Sequence, residues 1–361
     1  MKALFFLLDG ETNASSRHRV LQYFPLLRRG GIEPFASRPV PERAYQRLVE
    51  RSRGGVGSKA TFYGLFLAYR LRDVLRADRF DVVVIQRDLF PFGPPTLERL
   101  LMRRNPRLVY DTDDATYLRP GFTPNTVFQR LRRFDKVAEV VSRARWVSVA
   151  TEPIAVWARR HNTSVSVVPM AVDLAEYDAI QRQASTAQPL TLGWAGTAGG
   201  LDYLHSLAPV LRDLAQSHPI KLKVISGGYR SVCLKGLDVQ AQPWRADTAL
   251  REMAQFDVGL VPLADTPFEQ AKFPFKLLQY LALGVPTVSA RVGLASDLVR
   301  QGQNGLLAGS PEEWRESLQA LTTDAGLRRR LASAGRQTVE TSYTLERVGP
   351  LLAEGLAQAA S

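Results

Sequence analysis

The sequence contains a single cysteine, Cys233, among 361 residues. One cysteine excludes an internal disulfide framework and a cysteine-based metal site, and it fits a reducing compartment. No stretch approaches the roughly 18 consecutive apolar residues that a membrane-spanning helix needs. The opening residues KALFFLLDG are too short for a signal peptide and predict a buried first strand. These absences predict a cytoplasmic protein.

Acidic residues are scarce relative to basic ones, with 35 Asp and Glu against 47 Lys and Arg. The excess lies in the first half, since residues 1–180 hold 29 basic and 19 acidic side chains. A basic region attracts nucleic acid, a phosphorylated lipid or the surface of an anionic membrane. No helix-turn-helix, zinc spacing or aromatic-interleaved basic run indicates nucleic acid. Two explanations remain: an anionic membrane or lipid phosphate, and an arginine bias of the kind that a GC-rich genome produces.

Length and composition predict two ordinary domains, because 361 residues with 45% hydrophobic content can build two cores. Apolar strand patterns alternate with helical ones, which predicts an α/β fold with Rossmann-like domains. We expect a first domain over residues 1–178, a polar linker over 179–189 and a second domain over 190–343. A C-terminal helix over residues 344–361 is expected to pack back toward the first domain.

Residues 272–293, KFPFKLLQYLALGVPTVSARVG, predict a short amphipathic helix followed by a buried strand. Pro274 suits the first turn of a helix, and Gly284 supplies the stop, so the helix is predicted over residues 274–283. Four apolar residues share one helix face: Leu277, Leu278, Leu281 and Ala282. Lys276 and Gln279 lie on the opposite edge.

Lys272 and Lys276 are candidate ligands for a phosphate. A helix start offers free N–H groups and a partial positive charge, and both lysines lie close to it. Gln279, one turn further, is placed to bond a sugar hydroxyl. The alternative is that all three side chains simply form the solvated face of a packed helix.

The glycine-rich sequence GTAGG at residues 196–200 follows a predicted strand over residues 190–194. Glycines after a first strand allow the backbone to approach a phosphate closely, which makes Gly196 and Thr197 candidate ligands. The glycine spacing departs from G-x-G-x-x-G, and the strand predicted over residues 221–226 ends without an acidic residue for a ribose. This pattern argues against NAD binding.

Polar residues follow two predicted strands of the first domain. Ser16, Arg17, His18 and Arg19 lie in and after the loop that follows the strand at residues 3–8, and two arginines at a helix start favour an anion or form a solvated cap. A later strand at residues 108–110 ends in three carboxylates, Asp111, Asp113 and Asp114. They fit a divalent-cation site, an acceptor-binding or general-base role, or a structural cap.

A further amphipathic helix is predicted at residues 61–76, TFYGLFLAYRLRDVLR. Phe62, Tyr63, Phe66 and Leu67 alternate with arginines. This pattern fits a helix that lies on a membrane interface, and it also fits an outer helix with its apolar side in the domain core. We favour the core interpretation at this point.

The segment at 272–293, with FDVGLVPL before it and GLASDLVRQGQNGLLAG after it, resembles the donor-binding half of retaining GT-B glycosyltransferases of the family 4 type (group 1 glycosyltransferases). The resemblance implies a GT-B fold, with two Rossmann-like domains facing a central cleft. It also implies a nucleoside diphosphate sugar as donor, with no other cofactor. Trp244, after a strand that commonly lies beside the nucleotide base, either stacks on that base or is buried.

The chain departs from the family pattern at three places. The positions of the family's paired glutamates fall near Lys272 and Gln279, so neither glutamate is present. The family's basic residues in the glycine loop are replaced by Thr197 and small residues. Its histidine after the 108–110 strand is replaced by Asp113. Neutralisation of the diphosphate is therefore expected from Lys272 and Lys276. Asp113 and His18 are the candidate catalytic residues. Ser16, Arg17, Arg19, Asp111 and Asp114 are the candidates for the acceptor or phosphate side.

These expectations describe a retaining, metal-independent transfer of a sugar to a saccharide or lipid-linked saccharide acceptor. The protein is expected in the cytoplasm, with peripheral association of its basic first domain at the anionic inner face of the plasma membrane. No nucleic-acid partner is expected. Three alternatives stay open: a sugar-nucleotide epimerase of the same fold, a metal-dependent transferase that uses Asp111 and Asp113, and a non-catalytic nucleotide- or saccharide-binding protein.

Overall fold

A computed structural model describes residues 1–10, 13–41, 56–119, 133–180, 182 and 188–361. The chain divides into two compact units. Unit 1 comprises Met1–Ala171 and Leu345–Ser361, and unit 2 comprises Val172–Thr344. Residues 181 and 183–187 of the predicted linker lie outside the described residues.

A six-stranded parallel sheet forms the centre of unit 1, in the order β2-β1-β3-β4-β5-β6. Its strands are β1 (Lys2–Phe6), β2 (Glu33–Ser37), β3 (Val82–Gln86), β4 (Leu108–Thr112), β5 (Trp146–Val149) and β6 (Val165–Val167). Every residue of β3, β4 and β5 is buried. Strands of this kind are covered by helices on both faces of a sheet, as in α/β proteins.

Helices cover the sheet of unit 1. They are α1 (Phe24–Arg29), α2 (Val56–Leu75), α3 (Thr96–Arg104), α4 (Lys136–Arg143), α5 (Glu152–Ala158) and the C-terminal helix α15 (Leu345–Ala360). Helix α15 packs closely because a Cβ at Gly355 would lie 2.2 Å from the ring of Trp146 in β5. Among the described residues, no helix is both long and apolar enough to cross a bilayer.

Unit 2 is built around a second six-stranded parallel sheet, in the order β12-β11-β10-β7-β8-β9. Its strands are β7 (Leu190–Gly196), β8 (Ile220–Ser226), β9 (Val239–Gln242), β10 (Val258–Val261), β11 (Thr287–Ala290) and β12 (Leu306–Ala308). The chain proceeds from β7 to β8 and β9 on one side and then continues with β10 on the other side of β7. Loops at the carboxyl ends of strands beside such a reversal are where ligands bind in open α/β sheets.

The helices of unit 2 include the one that the sequence predicted at residues 274–283. They are α6 (Leu174–Asp178), α7 (Leu201–Ser206), α8 (Ala208–Ser217), α9 (Ala249–Met253), α10 (Pro267–Ala271), α11 (Phe275–Ala282), α12 (Leu294–Leu298), α13 (Pro311–Thr323) and α14 (Ala325–Ser342). The prediction is confirmed by α11, which is one residue shorter at each end and buries all four predicted apolar residues. Gly284, at φ +64°, follows it in the left-handed conformation that ends helices.

Candidate functional site

Lys276 lies in the first turn of α11 and reaches back to the end of β7. Its ammonium group lies 4.5 Å from the centroid of the Trp194 ring, and Trp194 is fully buried in β7. A Cβ at Gly196 would lie only 2.9 Å from Lys276 Nζ and 2.6 Å from the Trp194 ring. The absence of a side chain at Gly196 therefore makes room for the lysine against the glycine-rich loop. The structure thus brings two of the predicted ligands together.

Lys276 is a poorly solvated cation. Burial, with a further contribution from the nearby Lys272, lowers the pKa of Lys276 to about 7. The salt bridges of unit 2, within the described part of the chain, are made by other cations: Lys223, Arg245, Arg291, Arg315 and Arg336. The ammonium group of Lys272 lies 6.0 Å from the Phe268 ring centroid. An anion bound here would supply the counter-charge that both lysines lack.

The start of α11 adds to this positive potential. No side chain caps the helix, and its first turn contains no acidic residue. The N–H groups of Phe275, Leu277 and Leu278 donate to the carbonyls of Phe273 and Pro274, so the helix start offers an anion its partial positive charge more than open N–H donors. Gln279 follows one turn later on the same partly buried edge. The edge that the sequence predicted as polar is thus positively charged at its start.

The other residues predicted for unit 2 follow the strands of the same sheet. Thr197 is exposed directly after β7, and Trp244 is half-buried just after β9. The backbone N–H of Trp244 donates to the carbonyl of Ser226 at the end of β8, over 3.3 Å. Both residues therefore lie near the carboxyl edge of the sheet, like Gly196.

Glu269 in α10 is a buried residue that sequence reasoning missed. It is 2% exposed, and the hydroxyl groups of Tyr203 and Thr266 both donate hydrogen bonds to its carboxylate. Tyr203 belongs to α7, which follows the glycine-rich loop, and Glu269 precedes Lys272 by three residues. The carboxylate therefore ties the two segments that supply the candidate phosphate ligands. A lone glutamate in a short helix gives no sequence signal for such a role.

Arg87, also missed from the sequence, organises two of the predicted aspartates in unit 1. Its Nε donates to Asp113 over 2.7 Å, and its terminal nitrogen lies 2.7 Å from the carboxylate of Asp114. Among the described residues, Arg87 is the only non-glycine residue with a positive φ, at 61°. This conformation, which side chains rarely adopt, places the guanidinium group between the two carboxylates.

Asp113 also accepts hydrogen bonds from Ser15 Oγ at both carboxylate oxygens, each over 2.9 Å. Burial opposes the charged form of Asp113, but the attraction of Arg87 outweighs it and lowers the pKa to about 2. A carboxylate with such a pKa is charged at neutral pH and takes up a proton poorly. The structure shows Asp113 held by Ser15 and Arg87, and the general-base role considered for it stays a prediction.

Arg19 and Asp111 form a buried ion pair. The side chain of Arg19 is 2% exposed, and its Nε and one terminal nitrogen contact Asp111 over 2.9–3.1 Å. Its remaining donors reach Ser148 Oγ and the carbonyls of Val168 and Pro169. The polar groups of Arg19 and Asp111 are thus satisfied inside unit 1, and their expected contact with an acceptor or a phosphate stays a prediction.

Ser16, Arg17 and His18 lie with Arg19 in a single π-helical segment, Ser16–Val20. Ser16 is fully buried and its hydroxyl donates to Gln86 Oε1 in β3, over 3.3 Å. Burial, followed by repulsion from Arg17, lowers the pKa of His18 to about 3. The imidazole of His18 is therefore neutral at pH 7. Arg17 is partly exposed.

Metal-ligating side chains do not converge in the part of the chain that the structure describes, where no group of three His, Cys, Asp or Glu could hold a metal ion. In particular, the predicted aspartates have arginine partners: Arg19 for Asp111, and Arg87 for Asp113 and Asp114. The arginines lie where the metal-dependent alternative would require a cation.

Similarity to a known protein family covers the region of the candidate phosphate site. Residues 190–324 match the family model described as "Glycosyl transferases group 1". Residues 190–324 form a group 1 glycosyl transferase domain. This glycosyl transferase domain contains Gly196, Lys272, Lys276 and Gln279. No curated protein is significantly similar to the chain in sequence.

Solved structures extend the similarity to the fold of the whole chain. Sucrose-phosphate synthase from Thermosynechococcus elongatus superposes with a TM-score of 0.69 at 14% identity, covering 100% of both chains. Anabaena HepE in complex with UDP-glucose gives 0.67 at 16% identity over 99% of both chains. WaaG, a glycosyltransferase involved in lipopolysaccharide biosynthesis, gives 0.63 at 16% identity over 98% of this chain and 99% of its own. The predicted GT-B fold is confirmed: the glycosyl transferase domain is part of a chain of that class.

Proposed function

We propose that this glycosyltransferase moves a sugar from a nucleoside diphosphate sugar to a saccharide or lipid-linked saccharide acceptor, with retention at the anomeric carbon and without a metal ion. The observation that carries the proposal is the position of Lys276, which is half-buried at the start of α11 and has no carboxylate partner among the residues that the structure describes. Lys272 and the glycine-rich loop at Gly196 complete the proposed diphosphate site.

The chemistry of the leaving group explains why such a site is needed. When the bond from the anomeric carbon to the diphosphate breaks, negative charge develops on the phosphate oxygens. Fixed positive groups in a poorly solvated site stabilise the transition state, in which this charge develops, more than they stabilise the ground state. Lys276 would become fully protonated when the diphosphate binds, because a nearby anion favours the charged form of the lysine. Gln279 would hold the ribose, and Trp244 would lie beside the base.

Unit 1 supplies the acceptor side in this proposal. His18 is neutral at pH 7 and is the candidate to contact the reacting groups. Asp113 would act as a positioning residue, since it fixes Ser15 and Arg87 around the end of β4. Arg17 and Asp114 remain proposed acceptor contacts, and Ser16 would support them through Gln86.

The acceptor class follows from the charge of unit 1. Unit 1 holds 30 Lys and Arg against 18 Asp and Glu, whereas unit 2 holds 17 of each. A positively charged unit suits an acceptor that carries a lipid phosphate or lies at an anionic bilayer. We therefore place the reaction in the cytoplasm at the inner face of the plasma membrane, with the protein as a peripheral component.

A donor screen tests the proposal. Purified protein is heated with UDP-, GDP- and ADP-sugars, and a donor at 100 times its Kd should stabilise the folded state by about 2.7 kcal/mol. UDP-glucose is tested first because HepE was solved with it. Lys276→Ala should lower the affinity for the donor that binds the wild type by at least about tenfold. Unchanged affinity in this variant would remove Lys276 from the site.

Product analysis with the same donor distinguishes the reaction classes. With sugar-labelled donor, transfer or slow hydrolysis releases the nucleoside diphosphate, whereas an epimerase changes the sugar without releasing it to an acceptor. Activity that survives EDTA would agree with a metal-independent reaction, and activity abolished by EDTA would contradict it. If the protein bound a donor but turned over none of the donors tested, the catalytic proposal would be contradicted and a binding protein would be favoured.

A further inference from the structure

Helix α2 presents two faces of different character. Its inward face carries Phe62, Tyr63 and Phe66, and the rings of Tyr63 and Phe66 contact Phe92 and Phe90 at centroid distances of 4.8 and 5.6 Å. Phe66 is 6% exposed. Phe66 therefore belongs to the interior of unit 1, and the half-buried Phe62 and Tyr63 pack against it. The core interpretation agrees with these three residues but is wrong for Leu67, which is 42% exposed.

Arg70 fixes the rotation of α2 about its axis. The side chain is fully buried, and its guanidinium group donates to the carbonyls of Leu7, Ser37 and Leu89, which follow or end β1, β2 and β3. The guanidinium carbon also lies 5.1 Å from the Phe66 ring centroid. Rotating the helix would leave this buried cation without its acceptors, which is costly. The outward face of α2 is therefore set by the structure.

That outward face consists of leucines. Leu65, Leu67, Leu71 and Leu75 are 36%, 42%, 40% and 43% exposed, and we call them the leucine face. Exposed large apolar residues are few elsewhere in the described chain: Phe35, Val156 and Leu351. Leu67, Leu71 and Leu75 repeat every four residues and so form one stripe along the helix, with exposed Gly64 and Ala68 beside them. A grouping of this kind marks an interaction surface.

Charge identifies the kind of partner. Residues 56–80 contain five Lys and Arg but only two Asp and Glu; Arg76 and Arg79 are exposed, and Arg72, also exposed, is paired with Asp73 over 2.8 Å. They belong to unit 1, whose formal net charge is +12 from 30 basic and 18 acidic residues. Two copies of so positive a unit would repel each other, whereas an anionic bilayer attracts arginines and accommodates leucines at its headgroup boundary.

We propose that the leucine face of α2 docks on the surface of an anionic phospholipid bilayer, with Arg76 and Arg79 contacting the lipid phosphates. The inference rests on the proposed function only for its biological setting, a lipid-linked acceptor. The membrane contact is thereby assigned to named leucines and arginines. The aromatic residues, which make the helix amphipathic in sequence, are not part of this contact.

Cosedimentation of the full chain with vesicles tests the proposal. The protein should bind vesicles that contain equal parts of phosphatidylglycerol and phosphatidylcholine, and it should bind pure phosphatidylcholine much more weakly. Leu67→Asp and Leu71→Asp should each weaken binding to the anionic vesicles by at least about tenfold, since a carboxylate is placed where lipid contact is expected. Leu351→Asp is the matched control, because it makes the same change at a leucine that is 44% exposed on α15 of the same unit. It should bind like the wild type.

Several results would overturn the proposal. Absence of vesicle binding by the wild type would do so, as would equal losses in Leu67→Asp and Leu351→Asp. A wild-type dimer that Leu67→Asp converts to a monomer, without any vesicle binding, would show that the face joins two copies instead. Donor hydrolysis, measured without vesicles, monitors folding of each variant. The same assay separates the two proposals. If the wild type bound vesicles but showed no turnover of the donor, only the proposed function would be contradicted.

Discussion

The two units differ in how they treat positive charge, and the difference runs opposite to their net charges. Unit 1 has a net excess of twelve basic residues, yet Arg19 is paired with Asp111, Arg87 is paired with Asp113 and Asp114, and the fully buried Arg70 donates to three backbone carbonyls. Unit 2 is formally neutral, with 17 residues of each sign, but Lys276 is half-buried near Lys272 and has no carboxylate partner in the described part of the chain.

Local pairing, and not net charge, therefore identifies the candidate anion site. A buried arginine that is already satisfied by a carboxylate mainly maintains the structure, because an added anion gains few new contacts there. A poorly solvated lysine without a partner lowers stability until an anion binds, and that is the arrangement expected of a functional group. The net charge of unit 1 would act at longer range, on the approach of the protein to an anionic surface.

The largest effect is expected when the satisfied pair of unit 1 is broken. Arg19→Met leaves Asp111 buried without its counter-ion and should lower the free energy of unfolding of unit 1 by about 3–5 kcal/mol. Hydrogen exchange in urea, read from peptides that cover β4 and β5, measures unit 1 separately from unit 2. Arg29→Met, at an exposed position of α1, is the control and should change stability by less than about 0.5 kcal/mol. Equal effects of the two variants would show that the buried pair does not contribute as proposed.

The opposite result is expected for the unpaired cation of unit 2. Lys276→Met should weaken donor binding by at least about tenfold and raise the unliganded protein's free energy of unfolding by on the order of 1 kcal/mol. The pKa of Lys276 is lowered from 10.5 to about 7, so the unfolded state binds more protons between these values. Wild-type stability from this group therefore increases with pH across that window, and the advantage of the variant should shrink as the pH rises toward 10.

Lys235→Met serves as the control for Lys276→Met, because Lys235 is an exposed lysine of the same unit. It should change neither donor affinity nor the pH dependence of stability. A Lys276→Met variant that is less stable than the wild type at pH 7 would break the comparison between the units, since it would show that Lys276 is a structural group.

Donor affinity itself should depend on pH. The pKa of Lys276 in the unliganded protein is about 7, and the diphosphate binds the protonated form, so raising the pH from about 7 to 8.5 should weaken a UDP-sugar roughly tenfold. Both phosphates of a nucleoside diphosphate sugar stay ionised over this range, so the change reports the protein. Isothermal titration calorimetry at several pH values measures it. Lys276→Arg should remove most of the dependence, because arginine stays charged, and an unchanged slope in that variant would assign the titration to another group.

Much of the fold could be predicted from the sequence because parallel strands and amphipathic helices impose strong patterns. The fully buried β3 appears as the apolar run VVVI, and α11 is bounded by Pro274 and Gly284. The outward leucines of α2 could not be separated from its inward aromatics. Helical spacing defines an apolar side only when polar residues mark the other side. Here the rotation is set by Arg70, whose carbonyl acceptors end or follow three different strands.

The candidate site was only partly predictable for a similar reason. Lys276 and Gly196 carry local signals, a helix start and a glycine-rich loop, and the structure places them together. Arg87 and Glu269 act through partners distant in sequence: Asp113 for Arg87 and Tyr203 for Glu269. Such pairings are created by the sheet topology. The pairing of Arg19 could not be predicted for the same reason, since its partner Asp111 is 92 residues away.

The smallest expected effect concerns Gln279 and sharpens the comparison within unit 2. If the amide of Gln279 holds the ribose, Gln279→Leu removes one hydrogen bond to a neutral group and should weaken UDP by about fivefold, a change of about 1 kcal/mol. Inorganic pyrophosphate has no ribose, so its affinity should stay the same in this variant, whereas Lys276→Met should weaken both ligands. Competition of UDP and pyrophosphate against a labelled donor measures all four values. Equal losses of affinity for UDP and pyrophosphate in Gln279→Leu would mean that this residue acts on the diphosphate or on the packing of α11. The proposed division of one helix edge into cationic phosphate ligands and a neutral ribose ligand would then be wrong.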